Sequence, residues 1–198
     1  MVGVNRSEDW GALGLVPADA RTAASNAELL ELLGDLDSDS VVALTGGDLC
    51  RTLGGRGRAC PGGEATLVDV DLGEALVDGL LHRFVAHLVI RPSRHPGRWW
   101  LAANAAHRGP WNIAPRAHPG DGLIDVLEAS FSLGDVPAAW RRLRLGVHVP
   151  HPSVRQERTA ATQVSFGGSA RAWVDGRPIG RVDKLSLRVQ PGALRVAI

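Results

Sequence analysis

The chain has 198 residues, a formal net charge of +1, 44% hydrophobic and 22% charged residues, and a mean hydropathy of −0.01. That size and composition suit one ordinary domain or two small ones, with a sizeable core. The near-neutral charge excludes a general field for nucleic acid, so no nucleic-acid partner is expected. No apolar run approaches the roughly 20 residues of a membrane helix.

The start lacks a cationic segment followed by an apolar run, so no signal peptide is expected and the expected location is cytoplasmic. Cys50 and Cys60 are too few for a zinc site and read as reduced thiols, with a bridge between them left open. Lys184 is the single lysine among 22 basic residues.

In chain order, Val2-Gly3-Val4 reads as a short opening strand. Ser25 or Asn26 caps a helix to about Gly34, with Leu29, Leu30, Leu32 and Leu33 on its apolar face. Val41–Leu44 is an apolar run of the buried parallel-strand type. It feeds the turn Thr45-Gly46-Gly47-Asp48 and a short helix, Leu49 to Leu53. Strand, glycine turn and helix together can face a phosphate, which makes residues 45–48 nucleotide-binding candidates; many such turns bind nothing. Residues 55–64, rich in glycine with Pro61, read as a mobile connector and domain boundary.

Beyond Glu64 the texture becomes β. Thr66–Leu72 ends at Gly73, and Leu80–Ile90 pairs as a hairpin with Trp99–Asn104. Leu123–Leu127 is a strand, and Val136–Leu145 is a helix with Trp140 and Leu143 inward and Arg141, Arg142 and Arg144 outward. Ala160–Phe166, Ala170–Val174, Leu185–Val189 and Leu194–Ile198 are short strands. The class is α+β: a short N-terminal α/β segment (1–60) followed by a mainly antiparallel β-sandwich (64–198).

Several groups could carry chemistry. The loop Trp111–Gly122 sets Asp121 between two glycines, with Pro115 and Pro119 fixing the backbone; it is a cation site or a plain turn before a strand. Arg91, Arg94, His95 and Arg98 beside Trp99-Trp100 could touch anionic lipid headgroups or form a solvated turn with one Trp inside. Trp111 and Trp173 read as core aromatics. His148 and His151 lie on an extended, proline-flanked stretch, not at helical ligand spacing. Ser130, Ser132 and Ser153 lack the Gly-x-Ser-x-Gly elbow of a hydrolase.

One ordered series carries a resemblance. It runs Val70-Asp71-Leu72-Gly73, Ala102-Ala103-Asn104, Ile113-Ala114-Pro115 and Pro119-Gly120-Asp121-Gly122-Leu123-Ile124-Asp125-Val126. It continues with His151-Pro152-Ser153-Val154, Val174-Asp175-Gly176-Arg177-Pro178-Ile179-Gly180 and Gln190-Pro191-Gly192-Ala193-Leu194. Over residues 66 to 198 it resembles the C-terminal part of bacterial diacylglycerol kinase-like lipid kinases. The resemblance implies a nucleotide-binding domain followed by a β-sandwich, with ATP-dependent phosphorylation of a lipid hydroxyl between them. It implies Mg²⁺ held by the Asp121 carboxylate and the carbonyls of His118 and Leu123, and hard oxygen donors suit that ion. Separately from the resemblance, peripheral contact of a cytoplasmic protein with the inner face of the membrane is left open.

Two departures stand out. Residues 45–54 fit the family's second nucleotide motif, with Gly47 in place of asparagine, while the first motif has no counterpart. The family's general base is the glutamate of an Asp-Gly-Glu-Pro turn, and this chain reads Asp175-Gly176-Arg177-Pro178. A guanidinium stays protonated and accepts no proton; Asp175 is the nearest substitute. The sequence therefore leaves two readings: a lipid kinase, or a non-catalytic binding module derived from one.

Overall fold

A computed structural model describes residues 11–37, 39–92, 97–132, 134, 141–142 and 151–198, with backbone only at 168–169. The expected strand at 2–4, most of the helix at 136–145, Arg94, His95 and His148 lie outside the described residues. Arg141 and Arg142 are exposed, as expected.

The N-terminal part contributes β1 (Ala12–Leu15), β2 (Arg21–Ala23), α1 (Asn26–Leu32), β3 (Val41–Leu44) and α2 (Gly47–Thr52). Helix α1 starts where expected: the Ser25 hydroxyl accepts the Glu28 N–H, and Glu28 Oε2 accepts the Ala24 N–H. This is a reciprocal capping box. The helix runs into a 3-10 turn, Leu33–Asp35, rather than stopping at Gly34.

From residue 64 onward come β4 (Glu64–Val77), β5 (Leu80–Phe84), β6 (His87–Pro92), β7 (Arg98–Ala103), β8 (His107–Arg108) and β9 (Trp111–Asn112). They are followed by β10 (Ile124–Ser130), β11 (Val154–Thr159), β12 (Ala161–Val174) and β13 (Arg177–Ala197). Among the described residues eleven strands make one sheet in the order β1-β4-β13-β12-β6-β7-β10-β11. Strand β5 joins β4, the β2–β3 pair joins β13, and β8–β9 forms a separate ribbon. All pairings are antiparallel except β2 with β3 and β3 with β13. The antiparallel β-rich class is as the sequence suggested. The parallel, fully buried β3 is also as its apolar run implied.

Element lengths differ from the sequence reading. The four short C-terminal strands are two long ones, because Gly167 and Pro191-Gly192 fall at register shifts instead of turns. Strand β4 continues through Gly73, which faces Phe84 across the β4–β5 pair. A Cβ at residue 73 would lie 2.2 Å from the Phe84 ring, which is fully buried. The glycine makes room for an aromatic lying over the strand and does not end it. The expected single strand 80–90 breaks at Val85-Ala86, and its second half forms the β6–β7 hairpin.

The long strands divide their burial between two cores. Val68, Val70 and Leu72 of β4 and Leu194 and Val196 of β13 pack with α1, β3 and α2. Ala75 and Val77 of β4 and Val182, Leu185 and Leu187 of β13 pack with Phe84, Trp100 and the inner residues of β6, β10 and β12. Residues 55–64 lie against this frame: Ala59 is buried, and a Cβ on Gly57 would sit 2.4 Å from the Thr45 carbonyl. Cys50 is buried, Cys60 is exposed, and both thiols are free.

Candidate functional site

The glycine turn at residues 45–48 closes on its own chain. The Thr45 N–H extends the parallel ladder to the Ala23 carbonyl at 2.9 Å. A Cβ on Gly46 would lie 2.5 Å from the Ala24 carbonyl, and one on Gly47 (φ +94°) 2.7 Å from Asn26 Oδ1. That oxygen accepts the Leu49 N–H at 3.2 Å, and Asn26 Nδ2 approaches Asp48 Oδ2 at 3.4 Å. The glycines thus let the β2–α1 corner approach closely, and Asn26 bonds a free N–H of α2 that a phosphate would otherwise take.

Asp48 joins this turn to the β8–β9 ribbon and to β6. Its Oδ1 accepts the Gly109 N–H at 2.6 Å, and its Oδ2 lies 3.8 Å from His87 Nδ1. Arg51 donates to the Gly109 carbonyl at 2.9 Å, and Thr52 Oγ1 accepts the His107 N–H at 3.1 Å. His87 is buried with Nε2 2.9 Å from the Ala105 carbonyl, a contact that places the ring proton on Nε2. Burial lowers its pKa to about 4, so the ring is neutral at pH 7.

The Asp175 turn reaches the same region. Asp175 (φ +45°) and Gly176 (φ +86°) form the two-residue turn between β12 and β13, the geometry that favours Asp-Gly. The Asp175 carboxylate accepts three backbone N–H groups: Val85 at 2.8 Å, Ala86 at 3.0 Å and His87 at 2.8 Å. These are the donors freed where β5 gives way to β6. Desolvation raises the Asp175 pKa to about 6 against these hydrogen bonds, and the Asp48 charge adds to the rise. Both carboxylate oxygens are committed to the backbone. Arg177, the next side chain on, is exposed and pairs with Glu31 of α1 at 2.5 Å.

The Asp121 loop lies around a different centre, Asp71. The Asp71 carboxylate is buried and accepts the Gly122 N–H at 2.7 Å and the Gly192 N–H at 2.9 Å. Its own N–H donates to the Pro119 carbonyl at 2.6 Å, and its carbonyl accepts from Asn104 Nδ2 at 2.8 Å. One in-strand aspartate therefore fastens the loop, the β13 irregularity at 190–194 and the end of β7. Burial raises its pKa, and the nearby Asp121 charge raises it further. Asp121 Oδ1 accepts the Leu123 N–H at 3.0 Å, and Oδ2 is bound by the Arg158 guanidinium.

The donor set does not fit a divalent ion as it stands. The one carboxylate expected to coordinate is ion-paired to an arginine and hydrogen-bonded to the Leu123 N–H.

The sequence candidates therefore form two sites. Residues 45–48 pack on the start of α1, Arg177 pairs with Glu31 of α1 and Asp175 holds the β5–β6 corner, while Asp121, His118 and Leu123 sit on the Asp71 loop. Asn26, His87, Asp71 and Arg158 escaped the sequence reading as site residues. A carboxylate inside an apolar strand and a histidine in the run Phe84–Ile90 were the visible signals; Arg158 had none, because only the β10–β11 register brings it to Asp121. At the basic hairpin, Trp100 is buried and Trp99 half-buried with Arg91 4.3 Å above its ring. Trp111 and Trp173 are half-buried.

Residues 76–198 match the family model described as the YegS C-terminal NAD kinase beta sandwich-like domain. No curated protein matches the chain. Among solved structures, one from Bacillus anthracis str. Sterne described as a diacylglycerol kinase superposes with a TM-score of 0.66 at 11% identity. That alignment covers 90% of this chain and 78% of that one. A second such structure gives 0.63 at 10% identity, with 89% and 76% covered, and a third 0.61 at 12%, with 89% and 74%. At these identities the likeness is one of fold. Among the described residues no helix is long and apolar enough to cross a membrane.

Proposed function

The chain belongs to the YegS C-terminal NAD kinase beta sandwich-like domain family, and from that premise we propose that it is a catalytically silent relative of diacylglycerol kinases, acting as a binding or interaction module. The observation that carries this reading is the Asp175–Arg177 turn. A kinase of this class needs a carboxylate free to take the proton of the attacking hydroxyl, help that is worth about 10²–10⁴-fold. Here Arg177 stands at that position paired to Glu31, and both Asp175 oxygens hold the β5–β6 corner. The nucleotide side agrees, since Asn26 takes the Leu49 N–H at the start of α2.

A second reading, ATP- and Mg²⁺-dependent phosphorylation of a lipid hydroxyl, is favoured by Asp48. Its carboxylate is part-exposed at the junction of α2, β6 and the β8–β9 ribbon. Labelled ATP incubated with vesicles containing diacylglycerol separates the two. Wild type and Arg177→Glu are expected to transfer no phosphate above the protein-free control. Transfer by the wild type overturns the proposal, and transfer by Arg177→Glu alone narrows the loss to the base.

A further inference from the structure

The Asp121 loop carries carboxylates that something positive must balance. Asp125 is fully buried at the start of β10. Gln156 Nε2 donates to its Oδ1 at 2.7 Å, and its Oδ2 has no hydrogen-bond partner. Asp121 is largely shielded from solvent, on the loop that the buried Asp71 carboxylate fastens and that leads into the buried Asp125. Like charges held this way in a poorly solvated place need a cation or must protonate.

The chain has a cation there. Arg158 on β11 is the register partner of Asp125. Its Nε lies 3.5 Å from the unpartnered Asp125 Oδ2, while Nη2 binds Asp121. One planar guanidinium thus spans a buried strand carboxylate and the loop carboxylate, and two nitrogens of the fork are used.

We infer that Arg158 is the built-in counter-cation of this loop, occupying the role that the family resemblance gives to a divalent metal, so that the loop keeps its shape without one. The inference concerns residues 118–125 and 158 and stands apart from the reading of residues 175–177. A metal-independent loop is compatible with either function.

The test is thermal unfolding of the full chain in EDTA and in rising MgCl₂ or CaCl₂. The wild type is expected to keep the same Tm throughout. Arg158→Gln removes the guanidinium paired with Asp121 and Asp125, so its Tm falls in EDTA. Saturating metal then raises it, by about 5–10 °C when the free ion reaches about 100 times its dissociation constant. Adding Asp121→Asn to that variant abolishes the metal response. Should Arg158→Gln fail to fold, Arg158→Lys keeps the charge without the fork and is expected to fold and to stay indifferent to metal. A saturable metal-induced rise in wild-type Tm overturns the inference, as does an Arg158→Gln variant that neither falls nor responds.

Discussion

Replacing Asp175 tests whether this aspartate is a structural clamp. In Asp175→Ala the N–H groups of Val85, Ala86 and His87 lose the carboxylate that receives them at 2.8–3.0 Å. Each buried donor left unpaired costs about 1–3 kcal/mol, and entering water recovers part of that. Alanine at φ +45° adds about 1–2 kcal/mol. The sum to expect is about 3–6 kcal/mol. Asparagine tolerates the same backbone and keeps one acceptor oxygen, so Asp175→Asn is expected to lose about 1–3 kcal/mol. The assay is urea denaturation at pH 7.5, where wild-type Asp175 is ionised, followed by far-UV dichroism and tryptophan fluorescence. The predicted order of midpoints is wild type, Asp175→Asn, Asp175→Ala, with similar m values. An alanine variant within about 1 kcal/mol of wild type would refute the reasoning, since that is below the cost of a single orphaned donor.

Between about pH 4 and 6 two neighbouring groups contribute opposite slopes to the stability. His87, lowered to about 4, loses stability as pH falls through that window; Asp175, raised to about 6, loses it as pH rises. Asp175→Asn removes the second slope, so its unfolding free energy should fall by on the order of 1 kcal/mol per unit from pH 6 to 4; a profile parallel to wild type would count against the assignment. At Gly73, any side chain meets the Phe84 ring at 2.2 Å, so Gly73→Ala should cost about 1–3 kcal/mol by chemical denaturation. The double variant Gly73→Ala/Phe84→Leu should show the two changes to be non-additive, and simple additivity would contradict the close approach.

What the sequence made legible follows from how local each cause is. The helix cap at Ser25, the buried run Val41–Leu44 and the Asp-Gly turn at 175–176 are written within a few residues. They appear as expected. Element length is less local. Gly73 reads as a strand end until Phe84 is known to lie over it, and Pro191-Gly192 reads as a turn until β4 carries the ladder past it. The site was legible as motifs but not as chemistry. Asp175 and Asp121 were visible as carboxylates in turns. What occupies them comes from residues 37 to 90 positions away, namely Val85, Ala86, His87 and Arg158, which only tertiary register brings near. Asn26, 23 residues before Leu49, likewise changes the meaning of a glycine turn that locally suits a phosphate.

The central claim, that the kinase-like site has been given over to structure, is tested most directly by titrating the protein with ATP in excess Mg²⁺ under calorimetry. The account predicts no saturable heat at millimolar nucleotide, with Asn26 still bonded to the α2 N-terminus and no protection of residues 45–49 from amide exchange. Saturable binding with a micromolar Kd, accompanied by protection of those residues, would contradict it.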